Sequence, residues 1–192
     1  MAIPASLANQ LSLPVIGSPL FIISNPDLVI AQCKAGIIGS FPSLNARPIE
    51  QLDEWLTRIN EELAAARAAD PKAKIAPYAV NLIVHKSNNR IEEDLALCVK
   101  HKVPIVITSL GARPEVNDAI HSYGGIVLHD IINIVFAHKA LEKGAPAHLT
   151  VINPTALNRV DRDRVSSRSR NTPFHGMELQ GLVTATIYGG KL

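Results

Sequence analysis

Short apolar runs recur along the first 150 residues, each followed by a longer stretch with helical spacing, and this rhythm sets what the chain can fold into. The runs begin near residues 13, 36, 78, 103, 125 and 148. Leu13-Pro14-Val15-Ile16, Ile37-Ile38-Gly39-Ser40, Tyr78 to Val84, Val103 to Thr108, Ile126 to His129 and His148 to Ile152 read as strands. Units of this size leave no room for tight hairpins. Parallel strands need crossovers of a dozen or more residues, usually helices, so the pattern predicts a parallel sheet. An open doubly wound sheet and a (β/α) barrel both satisfy it.

The helices carry their own punctuation. Asn25-Pro26-Asp27 supplies a cap, a first-turn proline and an acid near the positive end, and Gly36 is placed to end that helix. Ile49, Leu52, Trp55, Leu56, Ile59 and Leu63 recur at helical spacing, and Asp70-Pro71 breaks the run. Further helices are predicted over 89–100, 115–123 and 131–143, the last two stopped by Gly124-Gly125 and Gly144.

Composition excludes more than it selects. An apolar fraction of 47% and a net charge of +2 describe a chain with a core, not a disordered one. Only the C-terminal tail hints at a basic face for nucleic acid, and there Asp161, Asp163 and Glu178 are mixed in without an aromatic platform; no stretch approaches a membrane span. The start, Met-Ala-Ile-Pro-Ala-Ser, lacks the charge and apolar run of a signal peptide, so a soluble cytoplasmic protein is expected. Cys33 and Cys98 read as buried free thiols. The seven histidines form no metal motif. GxSxG, P-loop and GxGxxG sequences are absent, which disfavours hydrolase, NTPase and dinucleotide-binding readings.

Polar residues gather where the predicted strands end: Gly17-Ser18-Pro19-Leu20, Ser40 and Asn45, Asn81 with His85 to Asn88, Thr108 to Gly111, and His129-Asp130. Each alone reads most simply as a loop or cap residue. In parallel α/β folds, however, ligands bind at that edge, and the recurrence points to a shared site.

These segments carry a resemblance. Pro14 to Leu20, Cys33 to Pro42, Leu44 to Arg47, Glu50 to Leu56, Ala79 to Asn88, Asp94 to Pro104, Ile107 to Gly111 and His129-Asp130 resemble, in order, the nitronate monooxygenases. The resemblance spans roughly residues 3 to 145. It implies a TIM-type barrel binding FMN at its C-terminal mouth and oxidising alkyl nitronates or nitroalkanes with O₂ to a carbonyl compound and nitrite. Ser18, Pro19 and Leu20 would lie against the flavin through their backbone. Asn81 would hydrogen-bond the ring, and His129 would sit near it. The His85-Lys86-Ser87-Asn88 and Leu44 to Arg47 stretches favour this family over another FMN barrel, the flavin-dependent enoyl-ACP reductases.

After residue 145 the resemblance stops. The family continues with a sixth strand and a Gly-rich loop bearing the histidine associated with the catalytic base; His148 comes too early to be it. The expected architecture is therefore α/β, an incomplete TIM-type barrel of about five to six parallel strands over residues 1–152. A basic tail with little regular structure follows over 153–192, with Leu182 to Tyr188 as at most one stray strand. Too few strands to close a barrel would leave unpaired edges, hence possible self-association or a non-catalytic fragment.

Overall fold

The computed structural model describes residues 5–131, 134–142, 149–164 and 172–187. A short helix α1 (Ala5–Ala8) opens it, and α2 (Pro26–Lys34) follows. The helix α2 is built as its sequence demands: the Asn25 side-chain oxygen accepts from the Leu28 N–H at 3.0 Å, and Pro26 and Asp27 fill the first turn. Gly36 ends it with φ +82°, a left-handed conformation that costs glycine little. A Cβ on Gly36 would stand 2.1 Å from Ser12 Oγ. Gly36→Ala is therefore expected to cost about 1–3 kcal/mol from strain and overlap together, read as a shift in the urea midpoint without a change in slope.

Four strands and three crossover helices make the body. In chain order they are β1 (Gly39–Pro42), α3 (Ile49–Ala69), β2 (Tyr78–Ile83), α4 (Ile91–Lys100), β3 (Ile105–Ser109), α5 (Pro114–His121) and β4 (Ile126–His129). All neighbouring pairs are parallel, and the sheet order is β1-β2-β3-β4. This order separates the two architectures the sequence left open. A doubly wound sheet reverses direction at a switch point. Here every crossover steps the same way, as in a barrel wall. The segment expected as the first strand contributes one parallel bridge, Ile16 to Ile38, ahead of β1.

Strand alternation gives the sheet two distinct faces. Phe41, Tyr78, Val80, Leu82, Val106 and Val127 point to the helices and pack with Val29, Leu52, Leu56, Ile59, Leu63, Cys98, Val116 and Ile120. Ile38, Ala79 and Ile105 point the other way, toward what would be the barrel interior, where Leu7 and Leu11 meet them. The N-terminal segment thus covers part of the inner face. Cover thins across the sheet: Ile107, Ile126 and Leu128 are only half-buried. Both cysteines are free and buried, and burial pushes the Cys33 thiol up to about 11 and the Cys98 thiol higher still.

Ion pairs bind helix to helix at the surface. Arg58 of α3 meets Asp27 and Glu62, Glu62 meets Lys34 of α2, and Asp53 of α3 meets Lys100 of α4 and the adjoining His101. The His101 and Lys100 hydrogen bonds hold the Asp53 carboxyl below its ordinary value. Exposed pairs of this kind stabilise little, up to about 1 kcal/mol each.

Helix α6 (Ile134–Glu142) follows β4. Beyond it the structure departs from expectation. The run at 148–152 does not join the parallel sheet. Its described part belongs to β5 (Leu149–Arg159), which pairs antiparallel with β6 (Glu178–Ile187) in a separate two-stranded sheet. The described part of the stray strand expected at 182–188, residues 182–187, is the end of β6, and β5 is its partner. Thr150, Val151 and Ile152 are in register with Thr186, Ala185 and Val183. Register shifts at Val151/Ile152 and Asn153/Leu157 break the alternation, which is why no single period shows there. The junction at 143–148, with Gly144 and His148, lies outside the described residues, as do Arg168 and Arg170 of the tail.

Candidate functional site

The polar residues marked in the sequence do lie at the carboxyl ends of the parallel strands, but they do not form one cluster. The first group is the loop after the Ile16 bridge. Its backbone is held from within: Leu20 N–H donates to Ser24 Oγ at 2.9 Å, and Ser24 Oγ donates to the Ser18 carbonyl at 3.4 Å. Asn45, after β1, acts as a clamp. Its Nδ2 donates to the Leu20 and Ser24 carbonyls, each at 2.9 Å, and its Oδ1 accepts from Ile22 N–H at 3.1 Å. Ser40 Oγ donates to the Gly17 carbonyl. The clamp holds a costly turn, since Ile22 is a β-branched residue with φ +67°. Both backbone polar groups of Leu20 are thus engaged, while Ser18 is exposed and Pro19 half-buried.

Asn81 is the second group. It is 6% exposed on β2, pointing to the inner face with Ala79. Its Nδ2 donates to the Ile107 carbonyl at 2.9 Å and to Ser109 Oγ at 2.7 Å. Two donors satisfied by β3 leave Oδ1 as the available acceptor, with Ser109 beside it.

His129 stands on the other side. Its register partner is Thr108, whereas Asn81 pairs with Ile107. Adjacent registers place side chains on opposite faces. Thr108 has the parity of Val106, and His129 that of Val127, both of which pack against the helices. The His129 Nδ1 meets the Thr108 hydroxyl, which also donates to the Leu128 carbonyl at 3.2 Å. Asn81 and His129 are therefore separated by the sheet.

Burial lowers the His129 pKa below its ordinary 6.5, with Asp130 opposing the shift. A histidine with a lowered folded pKa takes up its proton later in the folded state than in the unfolded one. Its contribution is complete above about 6.5 and is lost as pH falls below that value. His129→Asn should flatten the dependence of stability on pH over that window, measured as urea midpoints across a pH series.

A third group surrounds an open groove of about 700 Å³ between the β2–α4 and β3–α5 loops. Val84, His85, Lys86, Asn88, Gly111 and Arg113 line it. Most polar groups here serve the loops. Asn88 donates to the Ile83 carbonyl at 2.8 Å and accepts from Arg90 N–H at 3.0 Å, and His85 Nδ1 meets Ser87 Oγ at 2.9 Å. Arg113 pairs with Glu92 at 2.8 Å and Glu115 at 2.6 Å.

One buried polar group was not singled out from the sequence. Asp94, fully buried in the first turn of α4, accepts from Ser43 Oγ at 2.6 Å and from Arg90 Nη2 at 2.9 Å. Arg90 also donates to the Ala46 carbonyl at 2.8 Å. The group locks the turn after β1 onto α4. An arginine four residues before an acid was the available signal, but that spacing is common on solvated helix faces. Among the described residues, no group of three His, Cys, Asp or Glu could hold a metal ion, and no helix is long and apolar enough to cross a membrane.

Comparison with known proteins gives two different answers for sequence and for fold. No family model matches. By fold, the chain is similar to nitroalkane oxidase from Streptomyces ansochromogenes, with TM-score 0.60, 17% identity, and 73% of this chain and 46% of that one covered. It is comparably similar to FabK from Thermotoga maritima, with TM-score 0.59, 18% identity, and 75% and 45% covered. By sequence, it matches the dihydroorotase of Pelotomaculum thermopropionicum, 50% identical over 52 residues, 27% of this chain and 12% of that protein. The dihydroorotase of Caldanaerobacter subterraneus is 29% identical over 161 residues, 79% of this chain and 33% of that protein. The chain spans 12% to a third of these curated relatives and under half of the solved ones. The fold is therefore an α/β parallel wall of the kind found in those two solved proteins, and the barrel is not closed.

Proposed function

We propose that the parallel sheet is the N-terminal part of a flavin-binding barrel whose reaction is the oxidation of alkyl nitronates by O₂ to a carbonyl compound and nitrite. Three things support this reading: the ordered nitronate-monooxygenase motifs over residues 3–145, the fold likeness to nitroalkane oxidase, and the placing of Asn81. The last carries it. Asn81 is a nearly buried amide on the inner face at the carboxyl ends of parallel strands, locked by two hydrogen bonds and offering one acceptor. That is a fixed point against which the N–H of a flavin ring can be oriented.

The residues fit FMN in part. Asn81 Oδ1 and the Ser109 hydroxyl suit the polar edge of the ring. The Ser18 carbonyl already accepts from Ser24 Oγ, and the Leu20 amide and carbonyl are taken by Ser24 and Asn45. His129 faces the helices and does not share the inner face with Asn81. When bound, FMN supplies the redox chemistry, and the protein supplies binding and orientation. Among the described residues nothing corresponds to the phosphate end of such a site, which in barrels of this kind lies on the last two strands. FMN binding is therefore expected to be weak.

The test is titration of the full chain with FMN, followed by quenching of flavin fluorescence, beside an assay of nitrite released from a nitronate. Saturable binding weakened about tenfold by Asn81→Ala, equivalent to about 1.4 kcal/mol, is the expected outcome. Absence of binding, or equal binding by Asn81→Ala, would sink the assignment. The equal fold likeness to FabK supports a second reading, a flavin-dependent enoyl reductase; turnover of an enoyl thioester in place of a nitronate would select it. A folded protein that binds flavin but turns over neither would be a non-catalytic fragment. The dihydroorotase match covers too little of that protein to bring a site with it.

A further inference from the structure

We propose that Ser109 and Asn81 form a matched donor and acceptor that grips a lactam edge, the N–H and adjoining carbonyl of a planar ring. For the identity of that ring the inference rests on the flavin reading, in which the edge is the imide side of the isoalloxazine. It adds a role for Ser109 and an orientation for the ring.

Strand register brings the two side chains together. Asn81 pairs with Ile107, and Ile83 with Ser109, so Asn81, Ile107 and Ser109 share the parity of Ala79 and Ile105 on the inner face. Both polar residues are more than nine-tenths buried, Asn81 at 6% exposed and Ser109 at 7%. The Val84 N–H donates to the Ser109 carbonyl at 3.0 Å, which holds the end of β3 in the ladder. The chain then leaves the strand through Leu110 at φ +62° and Gly111 at φ +143°. A left-handed leucine is a costly way to end a strand, and it stops β3 at the serine.

The backbone fixes the polarity of the pair. The Ile107 carbonyl, 2.9 Å from Asn81 Nδ2, can only accept, so the amide nitrogen must face it. Turning the amide over would set two oxygens against each other. The second Nδ2 hydrogen goes to Ser109 Oγ at 2.7 Å. Both amide donors are then spent, and Oδ1 is left as an acceptor. Ser109 has used its oxygen to accept, so its hydroxyl hydrogen is left to donate. Among the described residues, the buried side-chain atoms without a partner are Gln32 Oε1, Tyr78 Oη and Arg90 Nε. Asn81 Oδ1 is not one of them, so it opens to solvent.

An acceptor beside a donor complements an N–H beside a carbonyl. A carboxylate, a phosphate or an alkyl chain does not present that pair. The rest of the face suits a ring. Ile107, Ile126 and Leu128 lie on the same inner side, half-buried and apolar. This arrangement orders the ring: its lactam edge meets β2 and β3, and its apolar face lies toward β4.

The experiment titrates the full chain with FMN and with FMN methylated at its imide nitrogen, followed by flavin fluorescence, with far-UV circular dichroism on each variant. Wild type should bind the methylated flavin about tenfold more weakly, because methylation removes the hydrogen that Asn81 Oδ1 accepts and leaves that acceptor unmet. Ser109→Ala should weaken FMN binding about fivefold, the loss of one ordinary hydrogen bond. It should also move a ring carbonyl stretch of bound FMN to higher frequency in the infrared difference spectrum, which a purely structural role for Ser109 would not do. Failure of wild type to bind FMN would overturn the flavin reading and this proposal together. FMN binding matched by equal binding of the methylated flavin, or an unmoved carbonyl stretch in Ser109→Ala, would overturn this proposal alone. The methylated flavin decides the matter on wild type should Ser109→Ala fail to fold.

Discussion

Asp94→Ala is expected to destabilise the protein by about 3–5 kcal/mol, the range for removing one partner of a buried ion pair. Asp94 is fully buried and joins Ser43 to Arg90, whose side chain is itself only 21% exposed. Without the carboxylate, a largely buried guanidinium keeps only the Ala46 carbonyl as a hydrogen-bond acceptor. Its Nε already lacks a partner. The loss should therefore come mostly from the stranded charge. Replacing both groups, in Asp94→Leu with Arg90→Met, should cost less than Asp94→Ala alone, and a double-mutant cycle would expose the coupling. Urea unfolding can be followed through Trp55, the single tryptophan, which packs edge-on against Phe41 at 5.6 Å between ring centroids. A cost for Asp94→Ala below about 1 kcal/mol would mean water reaches the guanidinium freely, against the burial seen.

Leu56→Ala should be nearly as damaging, at about 3 kcal/mol. Leu56 is fully buried on α3, in the layer between that helix and the outer face of the sheet. Truncation loses the transfer free energy of the removed atoms and leaves a cavity that a β-sheet wall cannot collapse to fill. For a chain of this size the loss corresponds to a fall in Tm of roughly 6–12 °C. Leu56→Met, which nearly conserves volume, should cost under about 1.5 kcal/mol. If the two substitutions proved equal, the layer would be looser than its burial indicates.

The same layer shows how much of the fold was legible in sequence. Leu52, Leu56, Ile59 and Leu63 were read as one helical stripe, and all four are buried on α3. The Asn25 cap and the Gly36 stop act where they were expected. These features are local: a period, a cap or a left-handed turn is set by residues within one turn of each other. The second half of the chain was less legible. The run from His148 was read as another parallel strand because it is apolar and correctly spaced. Its described residues instead pair antiparallel with partners 31 to 38 residues on, across a register shift at Val151/Ile152. Pairing partners lie far apart in sequence and leave no periodic trace.

The candidate site divides in the same way. Recurrence at strand ends marked a set of polar loops, and the resemblance to nitronate monooxygenases picked Ser18, Pro19, Leu20, Asn81 and His129 from it. Only tertiary structure decided which can act together. Asn45 consumes the Leu20 carbonyl from 25 residues away. One step of register, Asn81 beside Ile107 and Thr108 beside His129, sends the amide inward and the imidazole toward the helices. The alternating strands and helices that dominate the sequence determined a parallel sheet with crossovers, because each strand-helix unit specifies its own period. They did not determine its winding. That depended on which neighbour each strand pairs with, and the order β1-β2-β3-β4 makes the wall that of a barrel. Register and strand order arise from hydrogen bonds between distant segments, so only the assembled sheet fixed them.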